Sequence, residues 1–117
     1  MTLAAAILAI IAGAAHVGVW AAESLFWERE PVWRLFGARS AQEAATQAGP
    51  MFNIGFYNLF LGLGAIAGGV LAVASSQWTL LVYTCLFMAG AGGVLLIRYP
   101  GLWRGALGQS AIPILAL

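Results

Sequence analysis

Charged side chains are scarce in this sequence, which has no lysine, five arginines and four acidic residues. Only 8% of its 117 residues are charged and 62% are hydrophobic, whereas an ordinary soluble domain carries about 25% charged residues. So few charged side chains cannot cover the surface of a soluble monomer. The net charge of +1 also provides no basic face for nucleic acid. The composition instead indicates a membrane protein whose main partner is the lipid bilayer.

Residues that form disulfides or bind metals are almost absent. Cys85 is the one cysteine, so an intrachain disulfide is excluded, and no CxxC pattern or Cys/His cluster indicates zinc. His16 is the one histidine, so haem held by two histidines would require a symmetric dimer. We therefore expect neither a metal nor a cofactor. Because no basic residue precedes the first apolar run, we expect that run to remain as a transmembrane helix rather than to be cleaved as a signal peptide.

Four apolar segments approach the roughly 20 residues that a helix needs to cross the hydrocarbon core of a bilayer. Ser40-Ala41-Gln42-Glu43 has the S-x-x-E pattern of a capping box, which places the start of the second helix near Ala41. The sequence thus predicts an all-α membrane protein, a four-helix transmembrane bundle that forms one domain over residues 1–117. The predicted helices span about residues 2–25, 41–74, 77–97 and 102–117.

All five arginines lie in or beside two of the connections between these segments. Arg29, Arg34 and Arg39 separate the first two segments, and Arg98 and Arg104 flank the last connection. The remaining connection and both ends carry no charged side chain. Because arginine collects on the cytoplasmic side of membrane proteins, we expect both termini on the non-cytoplasmic side. The protein would then be a multi-pass protein of the cell inner (plasma) membrane.

Glycine is frequent in the second segment and recurs there at helical spacing. Gly55, Gly62 and Gly69 are seven residues apart, and Gly64 and Gly68 form a GxxxG pattern. Small residues allow close backbone contact between helices in lipid, where no hydrophobic force drives association. We therefore expect these glycines to lie at helix–helix contacts. Their spacing leaves open whether the contacts form within one chain or between the two chains of a homodimer.

Polar residues within apolar segments are costly in lipid and are therefore candidates for function. His16 and Glu23 lie seven residues apart on one face of the first helix, with Trp20 between them and a rise of roughly 10 Å from one to the other. We expect His16 and Glu23 to be catalytic acid/base groups and Trp20 to line the substrate-binding site. The other predicted substrate-binding residues are Asn53, Tyr57, Asn58 and Gln109.

The expected topology brings these polar side chains to a similar depth, because the first helix ends at the cytoplasmic face and the second and fourth begin there. We therefore expect a polar pocket in the cytoplasmic half of the bundle. Asn53 and Tyr57 share one helix face, whereas Asn58 is rotated towards a different neighbour. Structural roles stay open, since Asn and Gln often link helices, Glu23 can pair with a loop arginine, and neutral His16 can bond to a neighbouring Asn or Tyr.

The same residues carry a resemblance to a known family. The pair His16 and Glu23, the run Asn53-Ile54-Gly55-Phe56-Tyr57-Asn58 and the segment Gln109 to Pro113 resemble a family of small bacterial four-helix integral membrane proteins catalogued as a domain of unknown function. Ile54 and Leu59 depart from the family pattern, which has Gln and Gly at these places. The resemblance implies the four-helix architecture and supports the polar set, but it implies no activity.

Three functions from different classes fit these observations. The first is binding or transformation of a lipophilic small molecule, with proton transfer by His16 and Glu23. The second is a small proton-coupled transporter that acts as a dimer, although such transporters place the ionisable group near the midplane and Glu23 lies near one face. The third is a structural or accessory membrane subunit whose polar groups only hold helices together. We expect the first, with the lipophilic molecule as the partner besides lipid.

Overall fold

The computed structural model describes every residue from Met1 to Leu117 and is helical apart from short connections. The all-α prediction is therefore confirmed. The five α-helices are α1 (Leu3–Trp20), α2 (Glu30–Leu35), α3 (Ala41–Ser75), α4 (Thr79–Arg98) and α5 (Trp103–Ala116). A π-helical turn, Ala21–Leu25, continues α1, and a 3-10 turn, Pro100–Leu102, precedes α5. Three helical segments are long and apolar enough to cross a membrane: Leu3–Leu25, Ala41–Ser75 and Thr79–Arg98.

The last helix is shorter than the other long helices. Its α-helical part has 14 residues, fewer than the roughly 20 that span a bilayer. The 3-10 turn that precedes it, Pro100–Leu102, includes Leu102, so the predicted segment 102–117 begins with one residue that is not α-helical. The connection between the first two predicted segments contains α2, a short helix that was not among the four predicted ones.

Capping determines where α3 begins. The Ser40 hydroxyl accepts a hydrogen bond from the backbone N–H of Glu43 (3.1 Å), and the Glu43 carboxylate accepts one from the backbone N–H of Arg39 (2.9 Å). The first bond satisfies a donor that a helix start otherwise leaves unpaired, and the second ties the residue before the cap to the first turn. The helix therefore begins at Ala41, as the Ser-x-x-Glu pattern indicated.

The glycines seven residues apart on α3 all face the first helix of the same chain. A Cβ atom on Gly62 would lie 2.6 Å from the carbonyl oxygen of Gly13, and one on Gly69 would lie 2.8 Å from that of Ala6. A Cβ atom on Gly55 would overlap the Ser24 hydroxyl. The two backbones are therefore in direct contact along their length. The contacts of these glycines form within one chain.

Small residues also mediate the other helix contacts. A Cβ atom on Gly68 would lie 2.6 Å from the backbone nitrogen of Leu81, which brings α4 against α3, and one on Gly92 would lie 2.6 Å from Cβ of Ser110, which brings α5 against α4. Helix α5 in turn packs against α1. Each of the four long helices thus contacts two others around a narrow core of alanine, Leu81 and Met88.

The molecule is 48 Å long and its two ends differ in charge. Antiparallel packing brings α2 and both arginine-bearing connections to one end, which we call the arginine end. The opposite end holds Met1, Leu117 and the connection between α3 and α4. At the arginine end, four arginines stack over an aromatic ring of a nearby residue. The pairs are Arg29 with Phe26, Arg34 with Trp33, Arg98 with Tyr99 and Arg104 with Trp103.

The first connection folds back onto α3 at the arginine end. Trp27 and Trp33 are buried there with Ala38 and Ala44 in a small apolar cluster. The indole N–H of Trp27 donates a hydrogen bond to the carbonyl oxygen of Ala44 (2.8 Å). This bond anchors the chain directly after the π-helical turn, and so it holds that turn against α3.

Candidate functional site

Glu23 lies within the π-helical turn that ends the first membrane-length helix. The backbone N–H of Phe26 donates to the carbonyl oxygen of Ala21 (3.0 Å), five residues back instead of four. A π-helical turn advances less about the helix axis per residue than an α-helical turn, so it rotates Glu23 relative to His16. Such turns are rare in proteins as a whole, but many of those that occur lie at functional sites. The Glu23 side chain is buried, with 4% of its surface exposed.

The Glu23 carboxyl group has one side-chain partner, the amide of Asn58 on α3. Asn58 Nδ2 donates to Glu23 Oε2 at 2.8 Å. The ion pairs of the chain, Arg34 with Glu30 in α2 and Arg39 with Glu43 at the start of α3, lie at the arginine end. Glu23 therefore has no arginine partner, which answers the alternative of a pairing with a loop arginine. A buried carboxyl group that faces an amide and no cation is unusual in an apolar setting.

His16 is buried two turns above Glu23, with 4% of its surface exposed. Its Nδ1–H donates to the carbonyl oxygen of Ala12 (2.9 Å), one turn back on α1. Because a carbonyl oxygen only accepts, this bond leaves Nε2 as the nitrogen with a free lone pair in the neutral ring. The partner is thus the helix backbone, and no Asn or Tyr side chain bonds to His16.

Trp20 lies between these two residues, and its indole N–H is the one buried side-chain polar group without a hydrogen-bond partner. The ring contacts Phe56 of α3 edge to face, with 5.9 Å between ring centroids. Trp20, Glu23 and Asn58 therefore lie at the contact between α1 and α3, and His16 is buried one turn before Trp20 on α1. We call these four residues the α1–α3 polar cluster.

Two predicted site residues lie outside this cluster. Asn53 and Tyr57 are exposed on α3, Tyr57 with 64% of its surface, and neither side chain makes a hydrogen bond. Their shared face points away from α1, because the buried Gly55 already occupies the contact with that helix. The structure thus brings Asn58 to Glu23 and leaves Asn53 and Tyr57 on the outer surface of α3.

The remaining predicted residue, Gln109, is half-buried on α5 and makes no side-chain hydrogen bond. Ala12 of α1 and Ile112 of α5 belong to the same apolar cluster. His16 lies about one turn after Ala12 on α1, and Gln109 lies about one turn before Ile112 on α5. Because the two helices are antiparallel and rise equally per residue, His16 and Gln109 lie at the same level. Gln109 therefore lies at the depth of the polar cluster, on a neighbouring helix.

Two surface grooves lie at the end of the molecule opposite the arginine end. One is formed by the connection between α3 and α4, and the other by the first and last residues of the chain. Neither contains a predicted site residue. Around Glu23, α1 and α3 approach closely at Gly55, and Asn58 bonds directly to Glu23.

Ser24 and Trp27 also shape the site and were not predicted. The Ser24 hydroxyl donates to the carbonyl oxygen of Phe52 (2.9 Å) and packs against Gly55, while Trp27 anchors the residues that follow. Both therefore position the turn that carries Glu23. A hydroxyl residue directly after a glutamate at the end of an apolar segment was the available signal for Ser24.

Comparison with known proteins places the chain within one family. A family model described as "Protein of unknown function (DUF1304)" matches residues 10–117. The matched region includes every residue of the α1–α3 polar cluster. No curated protein and no solved structure matches the chain.

Proposed function

The chain belongs to the DUF1304 family, whose function is unknown, and from this premise we propose that it binds or transforms a lipophilic small molecule at the α1–α3 polar cluster. His16 and Glu23 are the acid/base groups of this site. Trp20 and Asn58 contact the bound molecule, while Gln109 approaches from α5. Asn53 and Tyr57, which lie on the outer surface of α3, contact the part of the molecule that faces lipid.

The proposal includes a membrane topology. Helix α5 together with its 3-10 turn is the fourth span, so that the chain forms a four-helix transmembrane bundle in the inner (plasma) membrane. The gathering of all five arginines at one end supports a cytoplasmic position for that end. Stacking of Trp, Tyr and Phe with four of these arginines supports an interfacial position. Both termini are then on the non-cytoplasmic side, and the polar cluster lies in the cytoplasmic half.

The observation that carries the proposal is the buried Glu23 carboxyl group, which has an amide partner and no cation. Ionisable groups inside membrane helices are expensive and mark functional sites by default. An apolar residue would pack at this helix contact without that cost. The π-helical turn around Glu23 adds a second local cost in the backbone. Two costs at one residue are more readily explained by function than by packing.

The geometry supports proton transfer at two separate positions. Asn58 holds Glu23 Oε2, which leaves Oε1 to exchange a proton with a bound molecule. The free lone pair of His16 Nε2 can accept a proton. Seven residues separate the two groups, a rise of roughly 10 Å, so they act on different atoms of one molecule and not as a hydrogen-bonded dyad. Isomerisation, hydration and ring opening are reactions of this kind.

Native mass spectrometry of the protein released from mild detergent tests the proposal. We expect a reproducible bound mass in the wild-type protein and its loss in His16→Ala and in Glu23→Gln. Glu28→Gln is the matched control, because Glu28 is an exposed carboxylate without an ion-pair partner. A bound mass that persists in both site variants, or none in the wild type, contradicts the proposal.

A structural role is the second candidate, and the bond between Asn58 and Glu23 favours it. Hydrogen bonds between membrane helices contribute about 0.6 kcal/mol on average. If this is the only role of the cluster, Glu23→Leu, which removes the acceptor of the Asn58 bond, lowers stability, and no bound mass is found in any variant. Stability and bound mass measured on the same samples therefore separate the two candidates.

A further inference from the structure

Trp20 presents a buried donor that no acceptor of the chain uses. Buried polar side chains in proteins are nearly always hydrogen-bonded, and each exception calls for an explanation. Trp20 itself lies one turn after His16 on α1 and directly precedes the turn that carries Glu23. The unpaired donor is therefore part of the polar cluster and is not an isolated packing defect elsewhere in the protein.

We propose that Trp20 determines specificity by donating a hydrogen bond to an uncharged acceptor oxygen, a carbonyl or an ether, of the lipophilic molecule. This inference rests on the proposed function and names the chemical class of its ligand. The group that Trp20 recognises lies between the two acid/base groups, so the polarised oxygen adjoins the atoms that exchange protons.

The charges around the site select a neutral group. An indole N–H only donates, so its partner must be an acceptor. An anion has no countercharge there, because all five arginines are exposed at the arginine end. A cation is attracted by the Glu23 carboxyl group but repelled by the positive edge of the indole ring. A neutral oxygen is the group that suits both Trp20 and Glu23.

Aromatic side chains indicate where the apolar part of the molecule lies. Phe52, Phe56 and Phe60 follow one another on α3, with 5.2 Å and 6.3 Å between successive ring centroids. Phe56 contacts Trp20, whereas Phe52 and Phe60 are exposed on the side of the molecule. The row thus connects the lipid-facing surface with the indole ring, and a hydrocarbon chain lying along it would bring its oxygen to Trp20.

Nuclear magnetic resonance of the ¹⁵N-labelled full chain tests this inference, because each of the five tryptophans gives one indole N–H signal. The probes are 2-undecanone and, as the matched control without an acceptor, undecane. We expect 2-undecanone alone to move the Trp20 signal downfield in a saturable manner. Trp20→Phe identifies the signal and keeps an aromatic ring against Phe56. The loss of one hydrogen bond in this variant should weaken ketone binding roughly tenfold.

Once Trp20→Phe has identified the signal, the titration of the wild-type protein tests the inference without relying on the stability of any variant. Equal shifts with undecane, or a Trp20 signal that 2-undecanone does not move, overturn the inference. If the natural bound mass persists in Trp20→Phe and is lost in Glu23→Gln, the inference fails and the proposed function stands. If 2-undecanone shifts Trp20 equally in wild type, His16→Ala and Glu23→Gln, the acceptor site is supported and a role of His16 and Glu23 in ligand binding is contradicted.

Discussion

Asn58 donates a 2.8 Å hydrogen bond to the buried carboxyl group of Glu23, across the contact between α3 and α1 and over 35 residues of sequence. The bond depends on the backbone contact at Gly55, which lets the two helices approach closely enough for the short amide side chain to reach Glu23. Helix packing and site geometry are therefore coupled in this protein. A substitution that alters the helix contact should therefore also alter the site, and a substitution in the site should also affect helix packing.

Replacing Asn58 by leucine should destabilise the protein, because it leaves a buried carboxyl group without its side-chain partner. We expect a loss of about 1–3 kcal/mol, the usual cost of an unsatisfied buried polar group. Thermal unfolding in lipid nanodiscs, followed by circular dichroism, measures the effect. Asn53→Leu is the matched control, since Asn53 is exposed and makes no hydrogen bond. Equal effects of the two substitutions would contradict the role assigned to Asn58.

Gly62→Ala should also destabilise the protein, by forcing apart the backbones of α1 and α3. The added Cβ atom would lie 2.6 Å from the carbonyl oxygen of Gly13, and overpacking of this kind costs about 1–3 kcal/mol. Gly90→Ala is the control, because no atom lies within 4 Å of the added Cβ there and alanine is the better helix former. In the same unfolding assay, Gly90→Ala should be at least as stable as the wild type. A Gly62→Ala variant as stable as the wild type would refute the close contact.

Trp27→Phe should loosen the first connection without unfolding the long helices. The change removes the hydrogen bond to the Ala44 carbonyl oxygen (2.8 Å) while an aromatic ring remains in the cluster. We expect a local loss of about 0.5–1.5 kcal/mol, seen as faster trypsin cleavage after the arginines of this connection. Trp103→Phe is the control, because Trp103 is exposed and its indole makes no hydrogen bond. Unchanged cleavage of Trp27→Phe would mean that this bond does not hold the connection.

The apolar runs and the glycine spacing allowed the helical class and the position of the packing faces to be predicted. Both depend on properties that repeat along a helix, namely hydropathy and side-chain size, so they can be inferred without knowing the neighbours. The start of α3 at Ala41 was predictable for a different reason, since a capping residue acts within one turn of its own position.

The details of the candidate site depend on rotations that no local pattern encodes. The π-helical turn at Glu23, which packs against α3, changes the angle between Glu23 and His16. The same limitation affected Asn53, Tyr57 and Asn58, which are close in sequence, yet only Asn58 points to α1. Which of them is buried is determined by the position of Gly55 at the helix contact.

Cysteine labelling on intact cells should place the arginine end in the cytoplasm. Gln77→Cys introduces an exposed thiol in the connection between α3 and α4, and Glu28→Cys introduces one at the arginine end. Since arginine-rich connections stay cytoplasmic, a membrane-impermeant maleimide should label Gln77→Cys on intact cells and Glu28→Cys only after permeabilisation. The native Cys85 is buried and serves as the internal control, which should stay unlabelled in both conditions. Labelling of Glu28→Cys on intact cells would reverse the proposed topology and move the polar cluster to the outer half of the membrane.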